Sequence, residues 1–370
     1  MQYVESLSNA MIENNIKQVD IIKATGLKKA HVSKIVAGSI EPGFLHLFSV
    51  IKYVMPERLT EVMDEFSLEV SNKESIMSSF EYATYYDRVE LLKSLMSIYK
   101  ESSKRDMQEF VSVYELVNSD KKPDDLIELY REVYGSLKSK EMQVKVYTCE
   151  SLLYYRSNDV ITMIKMAERI ISKVSDLNET FFKYALAAKI KAAFATGSLY
   201  NEGDIHLVRE VCDEVISNPV TSNMTLAATY HTLGHSYLYE NHPLALKNLE
   251  TAVNFYELCG NKGMVNEVRS NDIPFLNNIH NMTFDLTNVC AEERLHYYAR
   301  KGDRENFNQV ISKIDDLSTP YIKSYTAMMD KDLMNLFEAH ISFLRMGNLF
   351  FAKFVQLATE KFKNEEEIVI

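Results

Sequence analysis

The chain has 370 residues, of which 46% are hydrophobic and 25% charged, and its net charge is −11. This length accommodates two or three domains. No apolar run reaches transmembrane length and no secretory leader is evident, so we expect a cytoplasmic protein with no membrane contact.

Residues 17–42 carry the pattern of two short helices joined by a tight turn. The helices are predicted at Gln18–Ala24 and Lys29–Val36, and Gly26 between them can take the left-handed conformation that ends a helix. This is the layout of a helix-turn-helix, whose second helix enters the major groove of DNA. The spacing resembles the repressor/Xre type. We expect its apolar residues to form a shared core: Val19, Ile22, Leu27, Val32 and Ile35.

Charge supports this interpretation. Residues 17–34 contain five lysines and one aspartate, a net charge of +4, so the rest of the chain carries −15. A basic island on an acidic protein is typical of phosphate contact. The alternative is a solvated basic face on an ordinary helical hairpin. We predict a double-stranded DNA operator as partner, contacted by Lys17, Gln18, Lys28, Lys29, His31, Ser33 and Lys34.

Beyond Pro56 the sequence reads as amphipathic helices separated by brief polar turns. The clearest unit is Ala228–Tyr256, where Glu240–Pro243 makes the turn and small residues permit two helices to approach closely. Similar breaks recur about forty residues apart, with one gap near sixty that must hold an additional helix begun or kinked at Pro274. The other breaks are Ser157-Asn158-Asp159, Asn201-Glu202-Gly203, Lys301-Gly302-Asp303 and Met346-Gly347-Asn348.

No stretch alternates with the period of a strand, so the predicted fold is all-α. We expect a helix-turn-helix DNA-binding domain over residues 1–54 and a tetratricopeptide-like α-solenoid over residues 55–370. Stacked repeats form a concave groove suited to extended peptides. The acidic charge of this part favours a ligand with a positive group.

Few residues suggest metal binding or catalysis. His231 and His235 would share a helix face, but neither a His-Glu-x-x-His frame nor a nearby thiol completes a metal site. Glu292 and Glu293 have no partner at catalytic spacing. We therefore expect no metal, no cofactor and no enzyme activity. The four cysteines lack a Cys-x-x-Cys pair and indicate reduced core thiols: Cys149, Cys212, Cys259 and Cys290.

The domain order resembles that of peptide-sensing regulators of Gram-positive bacteria, the Rap, PlcR, PrgX and Rgg group, and within it the arbitrium receptors (AimR) of Bacillus phages. The stretches that carry the likeness are Phe44–Ile51 with Tyr53, Pro56 and Glu57, then Glu81-Tyr82-Ala83, and then Thr232–Tyr239 paired with Phe275–Asn278.

The resemblance implies a regulator in the bacterial host cytoplasm that controls phage lysis and lysogeny. Its peptide-free form would bind DNA and activate a gene, and a secreted peptide of about six residues would switch it off. It also implies a homodimer. The peptide-binding positions carried over are Thr196, Tyr200, His235, Leu238, Phe275, Glu292, Glu293 and Glu360.

This chain departs from the relatives at several of these positions. The relatives favour Asn at the positions of Thr196, Tyr200 and His235. They have an Arg at the position that Met224 occupies here. A second class of function is a tetratricopeptide scaffold that binds a protein partner, as the Rap proteins do. Exposure of Lys28–Lys34 distinguishes the two, because DNA binding requires it and a scaffold does not.

Overall fold

The computed structural model describes the backbone of residues 3–201 and 204–367, and the side chains of these ranges as far as Glu360. All regular elements in the described ranges are helices, as predicted. Contacts divide the chain into an amino-terminal unit, residues 1–190 with 217–222, and a carboxyl-terminal unit, residues 191–216 with 223–370. None of the described helices is long and apolar enough to cross a membrane.

The amino-terminal unit is built from successive short helices, and the last of them, α12, continues into the other unit. They are α1 (Tyr3–Glu13), α2 (Gln18–Thr25), α3 (Lys29–Val36), α4 (Phe44–Val54), a 3₁₀ turn (Pro56–Arg58), α5 (Leu59–Glu69), α6 (Lys73–Tyr85), α7 (Val89–Tyr99), α8 (Arg105–Val117), α9 (Pro123–Ser136), α10 (Lys140–Arg156), α11 (Val160–Ser175) and α12 (Phe181–Asn201).

The carboxyl-terminal unit continues the helical pattern and includes one π-helical turn. Its elements are α13 (Ile205–Ser217), α14 (Asn223–Ser236), α15 (His242–Leu258), α16 (Lys262–Glu267), the π turn (Val268–Asp272), α17 (Ile273–Ile279), α18 (Ala291–Lys301), α19 (Arg304–Ile311), α20 (Pro320–Asp330), α21 (Leu333–Arg345) and α22 (Leu349–Glu367).

The predicted helix-turn-helix is confirmed as a pair of helices. α2 and α3 fall within one residue of the predicted bounds, and Gly26 between them has φ of 68°, the left-handed conformation. Val32 and Ile35 are fully buried. The expectation for Val19 was wrong, because Val19 is 49% exposed. Ile21 is the residue of α2 that is buried instead. The apolar run of α2 therefore turns a different face inward.

Helix α4 joins these helices to the rest of the amino-terminal unit through aromatic packing. The ring of Phe44 lies 5.0 Å from that of Phe181 on α12 and 5.6 Å from that of Tyr82 on α6. Phe48 lies 5.1 Å from Phe181. Such offset and edge contacts add to the free energy gained by burying the rings. Helix α4 thus shares one core with α6 and α12.

The predicted breaks in the helical array lie at helix ends. Asn158, Gly302 and Gly347 all have positive φ, which lets the chain leave one helix and begin the next. The break predicted at Asn201-Glu202-Gly203 falls partly outside the described residues. In the clearest unit, a Cβ added at Gly234 would lie 2.9 Å from the side chain of Leu249, so α14 and α15 approach closely because residue 234 is glycine.

The long gap holds additional helices, as predicted, and Pro274 begins one of them. Proline lacks the N–H that would bond the carbonyl four residues earlier, which is that of Ser270. The N–H of Cys290 donates to this carbonyl instead, at 2.9 Å. The π turn Val268–Asp272 directly precedes this point. Such turns are frequent at functional sites.

The described structure contains four free thiols. Cys212 is buried and Cys149 and Cys290 are partly buried, whereas Cys259 is exposed, contrary to the expectation of a core position. Cys259 follows the last residue of α15, at the helix end where the chain turns.

Candidate functional site

The carboxyl-terminal unit contains a cavity of about 580 Å³, which we call the acidic cavity. This volume lies in the range of small-ligand pockets. The residues that line it are four carboxylates, four aromatic side chains and six other polar residues: Glu267, Asp272, Glu292 and Glu293; Tyr200, Phe275, Tyr321 and Phe351; His231, His235, Ser270, Asn271, Cys290 and Thr319.

Two histidines and one carboxylate meet at the wall of this cavity. His231 and His235 lie one turn apart on α14, and Asp272 ends the π turn. Nε2 of His231 lies 2.8 Å from Oδ2 of Asp272, and Nε2 of His235 lies 3.3 Å from Oδ1. The two imidazoles therefore contact the same carboxylate, His231 at Oδ2 and His235 at Oδ1.

Burial and the neighbouring groups shift the pKa values of His235 and Asp272. Burial lowers the pKa of His235, with a smaller contribution from His231, although Asp272 opposes the shift. Burial would raise the pKa of the Asp272 carboxyl, but His235 and His231 outweigh it and hold that pKa well below its usual range. At neutral pH we therefore expect Asp272 to be ionised, so that its oxygens can only accept hydrogen bonds.

Glu293 is the most enclosed of the lining carboxylates, with only 2% of the residue exposed. The hydroxyl of Tyr325 donates to its Oε1 at 2.7 Å, and Nδ2 of Asn278 donates to its Oε2 at 3.0 Å. Nδ1 of His296 lies 3.1 Å from the same Oε2. Glu292, its neighbour, is only partly buried. Glu292 is thus the more available of the two for a cationic ligand.

The structure brings five of the eight predicted peptide positions to the wall of this cavity: Tyr200, His235, Phe275, Glu292 and Glu293. The other three are not among its described lining residues. Thr196 bonds Thr232 at 2.8 Å, Leu238 is buried, and Glu360 is exposed and accepts from Gln356. As peptide contacts all eight remain predictions.

Sequence reasoning missed Asp272 and Glu267 as lining residues. Asp272 lies far along the chain from His231 and His235, and only the packing of the π turn against α14 joins them. The available signal in the sequence was Pro274, which interrupts the helical pattern two residues after Asp272. Sharp kinks in helices occur mostly at proline or at π turns, and π turns are frequent at functional sites.

The predicted DNA-binding residues share the surface of α2 and α3 but differ in exposure. Lys17, Lys28, Lys29 and Lys34 are exposed. Gln18, His31 and Ser33 are partly buried and engaged within the protein. The hydroxyl of Ser33 donates to Oε1 of Gln18, and Nε2 of His31 lies 2.9 Å from Nδ1 of His46 on α4. Exposed lysines are free for phosphate or base contact.

Comparisons with known proteins agree with this fold. The sequence model of the family described as AimR transcriptional regulator-like matches residues 59–361. No curated protein sequence matches the chain. The selenomethionine form of phAimR superposes with a TM-score of 0.78 at 19% identity, over 97% of this chain and 96% of that chain.

A phAimR structure with ligand gives a TM-score of 0.64 at 19% identity, over 85% of this chain and 96% of that chain. PlcR of Bacillus thuringiensis in complex with the peptide PapR7 and DNA is more distant. Its TM-score is 0.41 at 13% identity, over 74% of this chain and 98% of that chain. At these identities the likeness to phAimR shows the fold.

The family match spans most of the chain and includes every lining residue of the acidic cavity. It begins after α4, so α1–α4 stand outside it. The chain belongs to the AimR transcriptional regulator-like family, which makes it a regulator of transcription and not an enzyme.

Proposed function

We propose that this regulator binds a DNA operator through residues 1–54 and a short peptide through residues 55–370, and that the peptide lowers its affinity for DNA. The observation that carries the proposal is the acidic cavity, which lies within the residues that match the family. We place the regulator in the bacterial host cytoplasm, where its peptide-free form activates a phage gene that opposes lysogeny.

The DNA part of the proposal is supported by α3. Its first residue, Lys29, is exposed, as are Lys28 at the N-cap position before it and Lys34 farther along the helix. The amino-terminal residues of a recognition helix are those that reach base edges in the major groove. The rest of the chain is acidic, so these lysines supply the attraction for phosphate.

The peptide part is supported by charge. The described residues that line the acidic cavity include four carboxylates and no lysine or arginine. Such a wall favours a ligand with a cationic side chain, and an arginine guanidinium can pair bidentately with one carboxylate. Four aromatic side chains provide the apolar surface beside it. A linear peptide of about six residues with one arginine fits this chemistry.

A homodimer is part of the proposal, because one helix-turn-helix offers few contacts and dimers reading two half-sites are the usual solution. The face of α21 supports it. Its apolar residues follow the three- and four-residue spacing of a coiled-coil seam: Met334, Phe337, Ile341 and Leu344. Met334 is 69% and Phe337 58% exposed within the chain. A second copy covering this face would remove that apolar surface from water.

The proposal is tested with fluorescently labelled DNA that flanks the gene, and with a synthetic hexapeptide library in which one position is arginine. We expect specific DNA binding by anisotropy and selection of individual hexapeptides by calorimetry. If the protein binds neither specific DNA nor any hexapeptide but retains a protein partner, the scaffold function replaces the one proposed.

A further inference from the structure

The side chains of His231, His235 and Asp272 converge in a way that suits a metal ion. One nitrogen or oxygen from each lies within 4.8 Å of the others. Nε2 of His235 and Oδ1 of Asp272 are 3.3 Å apart. Two ligands of a tetrahedral zinc ion at bond lengths of about 2.0–2.1 Å lie about 3.3–3.4 Å from each other. The His235–Asp272 spacing matches this distance, whereas the 2.8 Å hydrogen bond between Nε2 of His231 and Oδ2 of Asp272 must open by about 0.5 Å to admit an ion.

Nδ1 of each imidazole, the nitrogen turned away from Asp272, lies near a tyrosine hydroxyl. The Tyr200 hydroxyl lies 2.6 Å from Nδ1 of His235, and the Tyr256 hydroxyl lies 3.5 Å from Nδ1 of His231. Histidines that bind metal through one nitrogen nearly always donate the other N–H to an oxygen. With an ion at Nε2, each neutral ring carries its proton on Nδ1 instead, and the tyrosine oxygen then accepts that N–H and keeps Nε2 directed at the ion.

Charge also suits a cation at this point. Asp272 is 13% exposed at the side chain, and its ion-pair partners among the described residues are the two imidazoles. Neutral imidazole and ionised carboxylate are the forms that coordinate metals. No described lysine or arginine lines the cavity to balance the carboxylate.

We propose that His231, His235 and Asp272 form a binding site for a divalent transition-metal ion, with Zn²⁺ favoured by two nitrogens and one oxygen as ligands. Imidazole selects against Mg²⁺ and Ca²⁺, which prefer oxygen ligands throughout. Three protein ligands leave at least one coordination position open toward the acidic cavity. The proposal concerns the ion alone and does not depend on binding of peptide or DNA.

The experiment uses the full chain without an affinity tag, stripped with a chelator and dialysed. Calorimetry with Zn²⁺ is expected to give one ion per chain, and Co²⁺ is expected to give the intense visible bands of a four-coordinate site. Asp272→Asn and His231→Gln are expected to weaken Zn²⁺ binding by more than about 100-fold, since loss of an outer partner alone costs 10–100-fold.

Two further variants keep the test decisive if a ligand variant fails to fold. Tyr200→Phe removes only an outer partner and is expected to weaken Zn²⁺ binding about 10–100-fold. His280→Gln is the matched control, because His242 and His280 also form a close pair but bond Asn277 and the carbonyl of Leu238 rather than a carboxylate.

Wild-type protein that takes up no ion, or Zn²⁺ binding that Tyr200→Phe and the ligand variants leave unchanged, would overturn the proposal. The three side chains would then be a hydrogen-bonded clamp between α14 and the π turn.

Discussion

The hydroxyl of Ser33 on α3 donates a hydrogen bond of 2.8 Å to Oε1 of Gln18 on α2. Both residues belong to the predicted DNA-binding set, and this bond fixes the angle between the two helices from the solvent side. The neighbouring contact of His31 with His46 does the same between α3 and α4. We therefore infer that part of the predicted set positions α3, and we propose that the exposed lysines contact DNA.

The first prediction concerns these lysines. Lys29→Ala is expected to weaken specific DNA binding by about 1–3 kcal/mol if its ammonium contacts a base. Lys28→Ala, at a position suited to phosphate, is expected to weaken binding to specific and non-specific DNA similarly. It should also reduce the slope of log affinity against log salt concentration by about 1. Anisotropy titrations at several salt concentrations measure both. Lys23→Ala, exposed on α2, is the control, and equal effects of all three variants would contradict the assignment.

The second prediction separates the two adjacent glutamates. Glu292→Gln is expected to lower the affinity for an arginine-containing hexapeptide about 10–100-fold, since a hydrogen bond to a charged group contributes about 1.5–3 kcal/mol. Glu293→Ala is expected to lower the melting temperature, because Tyr325, Asn278 and His296 lose their acceptor, and to weaken hexapeptide binding only through this disturbance of the cavity wall.

Calorimetry with the selected hexapeptide and thermal melting of each variant measure these effects. If Glu292→Gln binds the hexapeptide as well as the unchanged protein does, Glu292 is not the anchor for arginine.

The third prediction concerns the close packing of α14 on α15. In Gly234→Ala the new Cβ would lie 2.9 Å from the Leu249 side chain and 3.2 Å from its backbone nitrogen. We expect a loss of about 1–3 kcal/mol in the free energy of unfolding, as for other overpacked sites. Gly135→Ala on α9 meets nothing within 4 Å and is expected to be neutral or to gain up to about 1 kcal/mol. Urea denaturation of both variants provides the comparison.

The fourth prediction concerns a buried ion pair in the amino-terminal unit. The carboxylate of Glu81 is fully buried and accepts from Nζ of Lys145 at 2.5 Å and from the hydroxyl of Tyr114 at 2.7 Å. Glu81→Gln leaves Lys145 buried without its counter-ion, which costs about 3–5 kcal/mol. Denaturation should show this loss. Glu61→Gln, which removes an exposed pair with Arg58, should leave stability unchanged; equal effects would contradict the role of burial.

Much of the fold could be predicted from the sequence because its signals are local. Gly26 marked the turn between α2 and α3, and Gly302 and Gly347 marked helix ends, since each supplies a positive φ that other residues resist. The close approach at Gly234 also followed from residue size. Val19 was misplaced because an eight-residue helix offers too few positions to fix which face turns inward.

The site was less predictable because it depends on tertiary contacts. His231 and His235 were recognisable as a pair from their spacing, but Asp272 joins them only through the π turn before Pro274. The enclosure of Glu293 depends on Tyr325 and Asn278, which lie on other helices. Sequence spacing does not report such contacts.

The most direct test of the account measures DNA affinity with and without a saturating concentration of the selected hexapeptide. We expect the peptide to weaken binding to the specific operator, and DNA to weaken peptide binding by the same factor, because linkage between two binding sites is reciprocal. A DNA affinity that is unchanged at saturating peptide would contradict the proposal that the peptide gates this regulator.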